Sequence, residues 1–146
     1  LAEAGYEPYE GSNLARPGRQ CRHNLAYWRN ADWLGVGPGA ASHYAGRRWK
    51  NMPHLGQYLD TIDEPPTIDF EHLPHDQQIG EQLMMRLRLN EGVPVEWIEA
   101  NVPVDHPRHA TIQQLESNGL LERTATHLRL TRRGLFLADM VTGDLL

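Results

Sequence analysis

The sequence predicts an α+β protein in two parts, an irregular first segment and a winged-helix-like second. Three observations carry this. Ile79, Leu83 and Leu87 recur every four residues, the spacing of one helix face. Leu128 and Leu130 alternate with polar neighbours in GLLERTATHLRLT, residues 119–131, which is the period of a strand. Between the parts lies DEPPTIDFEHLPHD, residues 63–76, with three prolines and five acidic residues, a composition that continues neither a helix nor a strand.

The elements follow in order. Leu1 to Ala4 reads as a helix end stopped by Gly5. Tyr6 to Tyr9 reads as a short strand, and residues 10–22 as a loop. Asn24 is placed to N-cap a short helix through Arg29. Trp33 to Val36 reads as a second strand that runs into GVGPGAAS, and a helix is expected from Leu55 to Ile62. In the second part, Ile79, Leu83 and Leu87 define the first helix, and Pro94 opens a short one holding Val95 and Ile98. His106 to Asn118 forms the third, with Ile112 and Leu115 inward and Gly119 as its stop. The hairpin follows, then a closing helix from Arg132 to Val141 that buries Leu137, Ala138 and Val141. The expected organisation is thus 1–62, a Pro-rich acidic linker at 63–76, and a winged-helix-like domain at 77–146.

The chain has 146 residues, enough for one domain or two small ones. No apolar run approaches the roughly 20 residues of a membrane span, so no transmembrane segment is expected. The opening LAEAGYEPYEG lacks the basic start and apolar middle of a signal peptide. A single cysteine, Cys21, excludes an internal disulfide framework and any self-contained thiolate site for zinc or iron–sulfur. These features predict a soluble protein of a reducing compartment, the cytoplasm. Residues 1–65 carry seven Lys/Arg against seven Asp/Glu, while residues 66–146 carry seven against twelve. A nucleic-acid binder needs a positive face, and the second part is poorly suited to one. Its candidate recognition helix, HPRHATIQQLESN, offers only Arg108 as a permanent cation.

Chemistry concentrates in CRHNLAYW, Cys21 to Trp28. A neutral imidazole at His23 suits iron, zinc or copper, or proton transfer near neutral pH. From residue type alone, a loop histidine bonded to backbone is the more common case. His23 and Tyr27 share a helix face at i and i+4, and with Trp28 they suit a flat apolar ligand or an ordinary core. Gly35, Gly37 and Gly39 allow close backbone approach to a ligand, or simply a tight turn, and Pro38 breaks the dinucleotide fingerprint. Cys21 lies too near His23 in sequence for a nucleophile–base dyad. His72, His75, Asp105, His106 and His109 match no zinc spacing and read as surface.

YEGSNLARPGRQCRHNLAYW, Tyr9 to Trp28, followed by GVGPGAAS, resembles the radical SAM coproporphyrinogen III oxidase-like family, and within it the HemW-type heme chaperones. The likeness extends through Ser42 and, more weakly, to the C-terminus. The HNxxYW element, His23 to Trp28, favours the chaperone branch over the oxidase branch. The resemblance implies that residues 1–62 are the terminal β/α element of a radical SAM partial barrel. It implies that the chain is the C-terminal piece of a longer protein binding heme, S-adenosylmethionine and a [4Fe–4S] cluster. The family's CxxxCxxC cluster motif is absent here.

By the same resemblance His23 is the axial ligand of heme iron, with Asn24, Tyr27 and Trp28 completing the heme motif. Gly37, Gly39 and Ala41 lie on the S-adenosylmethionine side, and a heme-acceptor protein is the expected partner. Two positions depart from the pattern. Gly11 stands where Ile or Val is usual, and Ala41 replaces a histidine common in the chaperone branch. An oxygen-independent oxidase, decarboxylating propionate side chains, is the alternative, and a winged-helix DNA-binding module a further one.

Overall fold

The computed structural model describes residues 1–60, 64 and 66–146. A 3-10 turn at Ala2–Ala4 precedes β1 (Glu7–Pro8), β2 (Leu14–Ala15) and α1 (Arg22–Trp28). Then come β3 (Ala41–Tyr44), β4 (Arg47–Asn51), α2 (Leu55–Asp60) and β5 (Thr67–His72). The remainder is α3 (His75–Arg86), β6 (Val93–Pro94), α4 (Val95–Asn101), α5 (Pro107–Ser117), β7 (Leu121–Arg123), β8 (His127–Leu130), α6 (Arg132–Phe136) and α7 (Ala138–Gly143). The chain is a mixture of helix and sheet. It divides into two compact units, Leu1–Asn30 with Ile79–Leu146, and Ala31–Gln78.

That division differs from the one expected at residues 63–76, and backbone pairing is the reason. Glu10 bridges Leu89, the Gly11 N–H donates to the Arg88 carbonyl at 3.1 Å, and the Asn90 N–H donates to the Tyr9 carbonyl at 3.1 Å. Arg29 grips the Glu91 carboxylate through Nε and Nη2 at 3.1 and 3.0 Å. The first thirty residues therefore belong with 79–146 rather than with the rest of 1–62.

The core of this first unit is aliphatic. Leu83, Leu87, Ile98, Ile112, Leu121, Leu128, Val141 and Leu145 are fully buried together. The four-residue period of α3 and the alternation of β8 put these side chains on one side of each element. The sheet order is β6-β8-β7, all antiparallel, with Val93 opposite Leu128 and Leu121 opposite Leu130. The two-residue strand β6 was not expected. The closing helix is two pieces, because the backbone at Leu137 leaves the helical region (φ −117°, ψ 22°). Val141 is buried as expected and Ala138 packs against the core, but Leu137 is 41% exposed.

Arg108 is 5% exposed, not a surface cation. Its Nε donates to the Leu145 carbonyl at 2.8 Å and its Nη2 to the Leu146 carbonyl at 2.9 Å. His106, read as surface, is the N-cap of α5, its Nδ1 accepting from the Arg108 N–H. His109 reaches the Val102 carbonyl with Nε2 at 3.3 Å.

In the second unit β3, β4 and β5 form an antiparallel sheet in that order, with Ser42 opposite Trp49 and a register shift between Arg48 and Lys50. None of the three strands was expected. The expected strand at Trp33 to Val36 is a single bridge, Trp33 to His43. Strand β5 lies inside the expected linker, whose Asp63 and Pro65 fall outside the described residues, as do the last two residues of the helix expected over Leu55 to Ile62. Among the described residues this unit buries no aliphatic side chain; its buried groups are Ser42, His43 and Asn51.

Candidate functional site

Helix α1 begins at Arg22 with Cys21, not Asn24, at its N-cap, and no side chain caps it. Asn24 is instead inside the helix, its amide donating to the Tyr9 hydroxyl at 3.0 Å. This contact ties α1 to the stretch after β1. Cys21 is exposed.

The helix separates the four motif residues into two adjacent pairs. His23 is exposed and meets the Tyr27 ring edge-on, with centroids 4.8 Å apart and planes at 73°. Among the described residues no hydrogen bond engages the His23 imidazole, so both ring nitrogens are open to a ligand. Asn24 and Trp28 form the other pair. The Arg88 guanidinium lies over the Trp28 ring, 5.7 Å from its centroid, and the Trp28 Nε1 is buried without a hydrogen-bond partner among the described residues.

Trp28 forms one wall of a cleft of about 520 Å³. Glu10, Gly11 and Ser12 line one side and the stretch 135–140 the other. Glu10 is 3% exposed, and its carboxylate accepts from the Ser12 N–H at 3.2 Å and its hydroxyl at 3.1 Å. Phe136 is 82% exposed, and Leu135 and Met140 are also exposed apolar side chains. Asp139 meets Arg88 at 2.5 Å. Neither Arg88 nor the 135–140 stretch stood out in the sequence, where a lone arginine and a helix-like LFLADM carry no motif. Further along the same unit, burial and then the neighbouring Arg29 lower the pKa of Arg86.

The glycine loop belongs to the second unit. The Asn51 amide donates to the carbonyls of Gly35 and Gly37 at 3.1 and 3.0 Å, and the Gly37 N–H donates to the Tyr58 hydroxyl at 3.3 Å. A Cβ at Gly35 would stand 2.4 Å from the Ala41 carbonyl oxygen, so the close approach here is of chain to chain. Gly39 and Ala41 are exposed, and Ala41 opens β3 opposite Lys50. His43, which sequence reasoning passed over, is buried against Trp33 with Nδ1 3.2 Å from the Ala31 carbonyl oxygen.

The HemN C-terminal domain family model matches residues 73–137. The chain is 36% identical to the heme chaperone HemW of Mycobacterium tuberculosis (strain ATCC 25618 / H37Rv), over all of this chain and 36% of that protein. It is 33% identical to HemW of Lactococcus lactis subsp. lactis, over 97% of this chain and 38% of that one. It is 30% identical to the mitochondrial radical S-adenosyl methionine domain-containing protein 1 of Danio rerio, over all of this chain and 36% of that protein. The chain thus spans little more than a third of these relatives' length. In fold it is similar to the coproporphyrinogen III oxidase HemN of Escherichia coli, a radical SAM enzyme, with a TM-score of 0.72 and 19% identity over 99% of this chain and 38% of that one.

Proposed function

Since the chain belongs to the radical SAM coproporphyrinogen III oxidase-like family, on the side of its heme chaperones, we propose that it is the porphyrin-binding part of such a chaperone, with His23 as axial ligand to heme iron. The observation that carries the reading is the exposed, unengaged imidazole of His23 held edge-on by Tyr27. An imidazole whose orientation is fixed by a neighbour is ready to donate a lone pair to iron. When bound, heme supplies the iron centre. The chain supplies the ligand nitrogen and apolar aromatic surface at Tyr27 and Trp28, while Asn24 holds α1 through Tyr9.

The rest of the family's equipment is proposed for a longer parent. A [4Fe–4S] cluster does not fit these residues. Cys21 is the chain's one thiol, and among the described residues no group of three or more His, Cys, Asp or Glu is placed to hold a metal. S-adenosylmethionine would meet the exposed edge of the glycine loop at Gly39 and Ala41, since the Gly37 N–H already serves Tyr58. Residues 31–60 and the sheet of β3 to β5 are read as the end of a partial barrel. Their lack of buried aliphatic side chains suits an element completed by a larger neighbour. Helices α3, α4 and α5 with the β6-β8-β7 sheet are read as the winged-helix-like part. A heme-acceptor protein and a cytoplasmic setting complete the proposal. No helix among the described residues is long and apolar enough to cross a membrane.

Hemin titration tests the ligand. His23→Ala is expected to weaken binding about tenfold or more and to remove the absorption signature of histidine ligation, while Cys21→Ser leaves both unchanged. The reverse pattern would make the Cys21 thiolate the ligand. The oxidase alternative has fold similarity on its side, but the HNxxYW element and the relatives at 33–36% identity point to the chaperones. A DNA-reading role loses its one recognition-helix cation with the burial of Arg108. Binding to duplex DNA is expected to be weak at moderate salt, and a tight, salt-sensitive gel shift would overturn that expectation.

A further inference from the structure

We propose that Arg16, Arg19 and Arg22 hold the carboxylates of the porphyrin that His23 ligates. The inference rests on the porphyrin-binding reading above and deepens it, because neither the His23 motif nor the family likeness gives these arginines a role. Three observations support it.

The first is charge. Residues 11–31 hold four arginines and no aspartate or glutamate, in a chain whose net charge is −5. Arg29 is paired with Glu91. Arg16, Arg19 and Arg22 are exposed, and among the described residues none of them meets a carboxylate. By contrast Arg48, Lys50, Arg123 and Arg129 each have a carboxylate within 3.5 Å. An acid-free run of unmatched cations makes a local positive field that draws an anion.

The second is placement. Arg16 to Arg19 is a β-turn, closed by the Arg19 N–H donating to the Arg16 carbonyl at 2.9 Å, with Gly18 at φ 72° in the third position. Such a turn brings the Cα atoms of its ends within about 7 Å. The Arg16 guanidinium lies over the Tyr6 ring, 5.2 Å from its centroid. A guanidinium stacked by its face keeps its N–H edge for a carboxylate. Arg22 opens α1 and directly precedes His23. Arg19 is four residues before His23, so even a fully extended chain holds their Cα atoms within about 14 Å. On the helix, Ala26 lies one turn from both Arg22 and His23. Its methyl leaves room for a flat ring to extend from His23 toward Arg22.

The third is the absence of competing acid. The acidic residues nearest in sequence are Glu10 and Asp32. Glu10 is 3% exposed and accepts from Ser12, and Asp32 accepts from the Ala45 N–H. The cleft beside Trp28 differs, since Glu10 and Asp139 line it and its Arg88 is already paired with Asp139. A ligand's carboxylates are repelled there and attracted at the arginines.

The test compares hemin with hemin dimethyl ester, which keeps the iron and the ring but has no carboxylate, on the 146-residue chain. The parent is expected to bind hemin about tenfold more tightly than the ester, by an amount that shrinks as salt is raised. Arg19→Gln and Arg22→Gln are each expected to weaken hemin about three- to fivefold, the scale of an exposed ion pair. Arg19→Glu with Arg22→Glu is expected to weaken it about tenfold or more. None of these variants is expected to weaken the ester or to change the absorption signature of histidine ligation. Both arginines are exposed, so the variants should keep the parent's circular dichroism and thermal midpoint. Arg132→Gln, an exposed cation on α6, should bind both ligands as the parent does.

Parental hemin affinity in the arginine variants, with the ligation signature still lost in His23→Ala, sinks the arginine site and leaves the ligand assignment standing. An unchanged signature in His23→Ala overturns the ligand assignment, while losses of hemin alone in the arginine variants keep the carboxylate site. Equal losses of hemin and ester in the arginine variants overturn the pairing. A parent that binds neither overturns both.

Discussion

Arg108→Ala is expected to destabilise the first unit by about 2–4 kcal/mol. The side chain is 5% exposed and donates to two carbonyls, those of Leu145 and Leu146. Removing it leaves the oxygen of buried Leu145 without its donor, at about 1–3 kcal/mol, while that of exposed Leu146 can turn to water. It also empties a space that Gly80 keeps clear, since a Cβ there would stand 3.0 Å from the Arg108 Nη2. Lysine keeps the charge but not the two-pronged geometry, so Arg108→Lys is expected to recover only part of the loss. The exposed Arg132, replaced by alanine, should stay within about 0.5 kcal/mol of the parent. Urea unfolding with shared slopes gives the comparison. An Arg108→Ala midpoint equal to that of Arg132→Ala would show that the buried guanidinium contributes nothing.

Gly92→Ala is expected to be as damaging, by about 2–5 kcal/mol, for a different reason. Gly92 has φ 76°, and a Cβ there would stand 2.2 Å from the Leu128 carbonyl oxygen and 2.6 Å from the Arg129 Cβ. The left-handed conformation alone costs a non-glycine residue about 1–2 kcal/mol. The clash adds about 1–3 kcal/mol, because what must give way is the backbone of β8, which holds Leu128 in the core. Gly119 separates the two contributions. Its φ is 67°, but nothing lies within 4 Å of the place a methyl would take, so Gly119→Ala should show the conformational cost alone. Equal losses at the two positions would mean that the approach of β8 is not tight.

The second part of the chain was largely legible in its sequence because its signals are local. The period of Ile79, Leu83 and Leu87 and the alternation at Leu128 and Leu130 reflect single elements facing one apolar core. The β3 to β5 sheet was not legible. Its strands ASHY, RRWKN and TIDFEH have no buried aliphatic face to impose a period of two. Its tight turn was hidden as well. Ala45 and Gly46 take φ 50° and 73°, the conformation usually announced by Asn-Gly, while the Ala45 N–H is satisfied by the distant Asp32 carboxylate at 3.0 Å. At the site, the motif from His23 to Trp28 stood out in the sequence, but that His23 is exposed while Trp28 lines a cleft did not. That depends on Arg88 and Phe136, brought to Trp28 only by tertiary packing. The burial of Arg108 was equally out of reach, since its acceptors lie 37 and 38 residues away.

The first unit is discontinuous: the chain leaves it after Asn30 and returns at Ile79. During synthesis this sets an order of events. The strand partners of Tyr9 and Gly11, and the carboxylate that holds Arg29, emerge only after roughly sixty further residues, about 3–12 s at ordinary elongation rates of about 5–20 residues per second. Until then β1, β2 and α1 have no core of their own to fold on, and such long-range closures slow folding. The cleft is later still, since Phe136 and Met140 follow Glu91 in the chain. A nascent chain therefore presents the His23 motif before the cleft beside Trp28 exists.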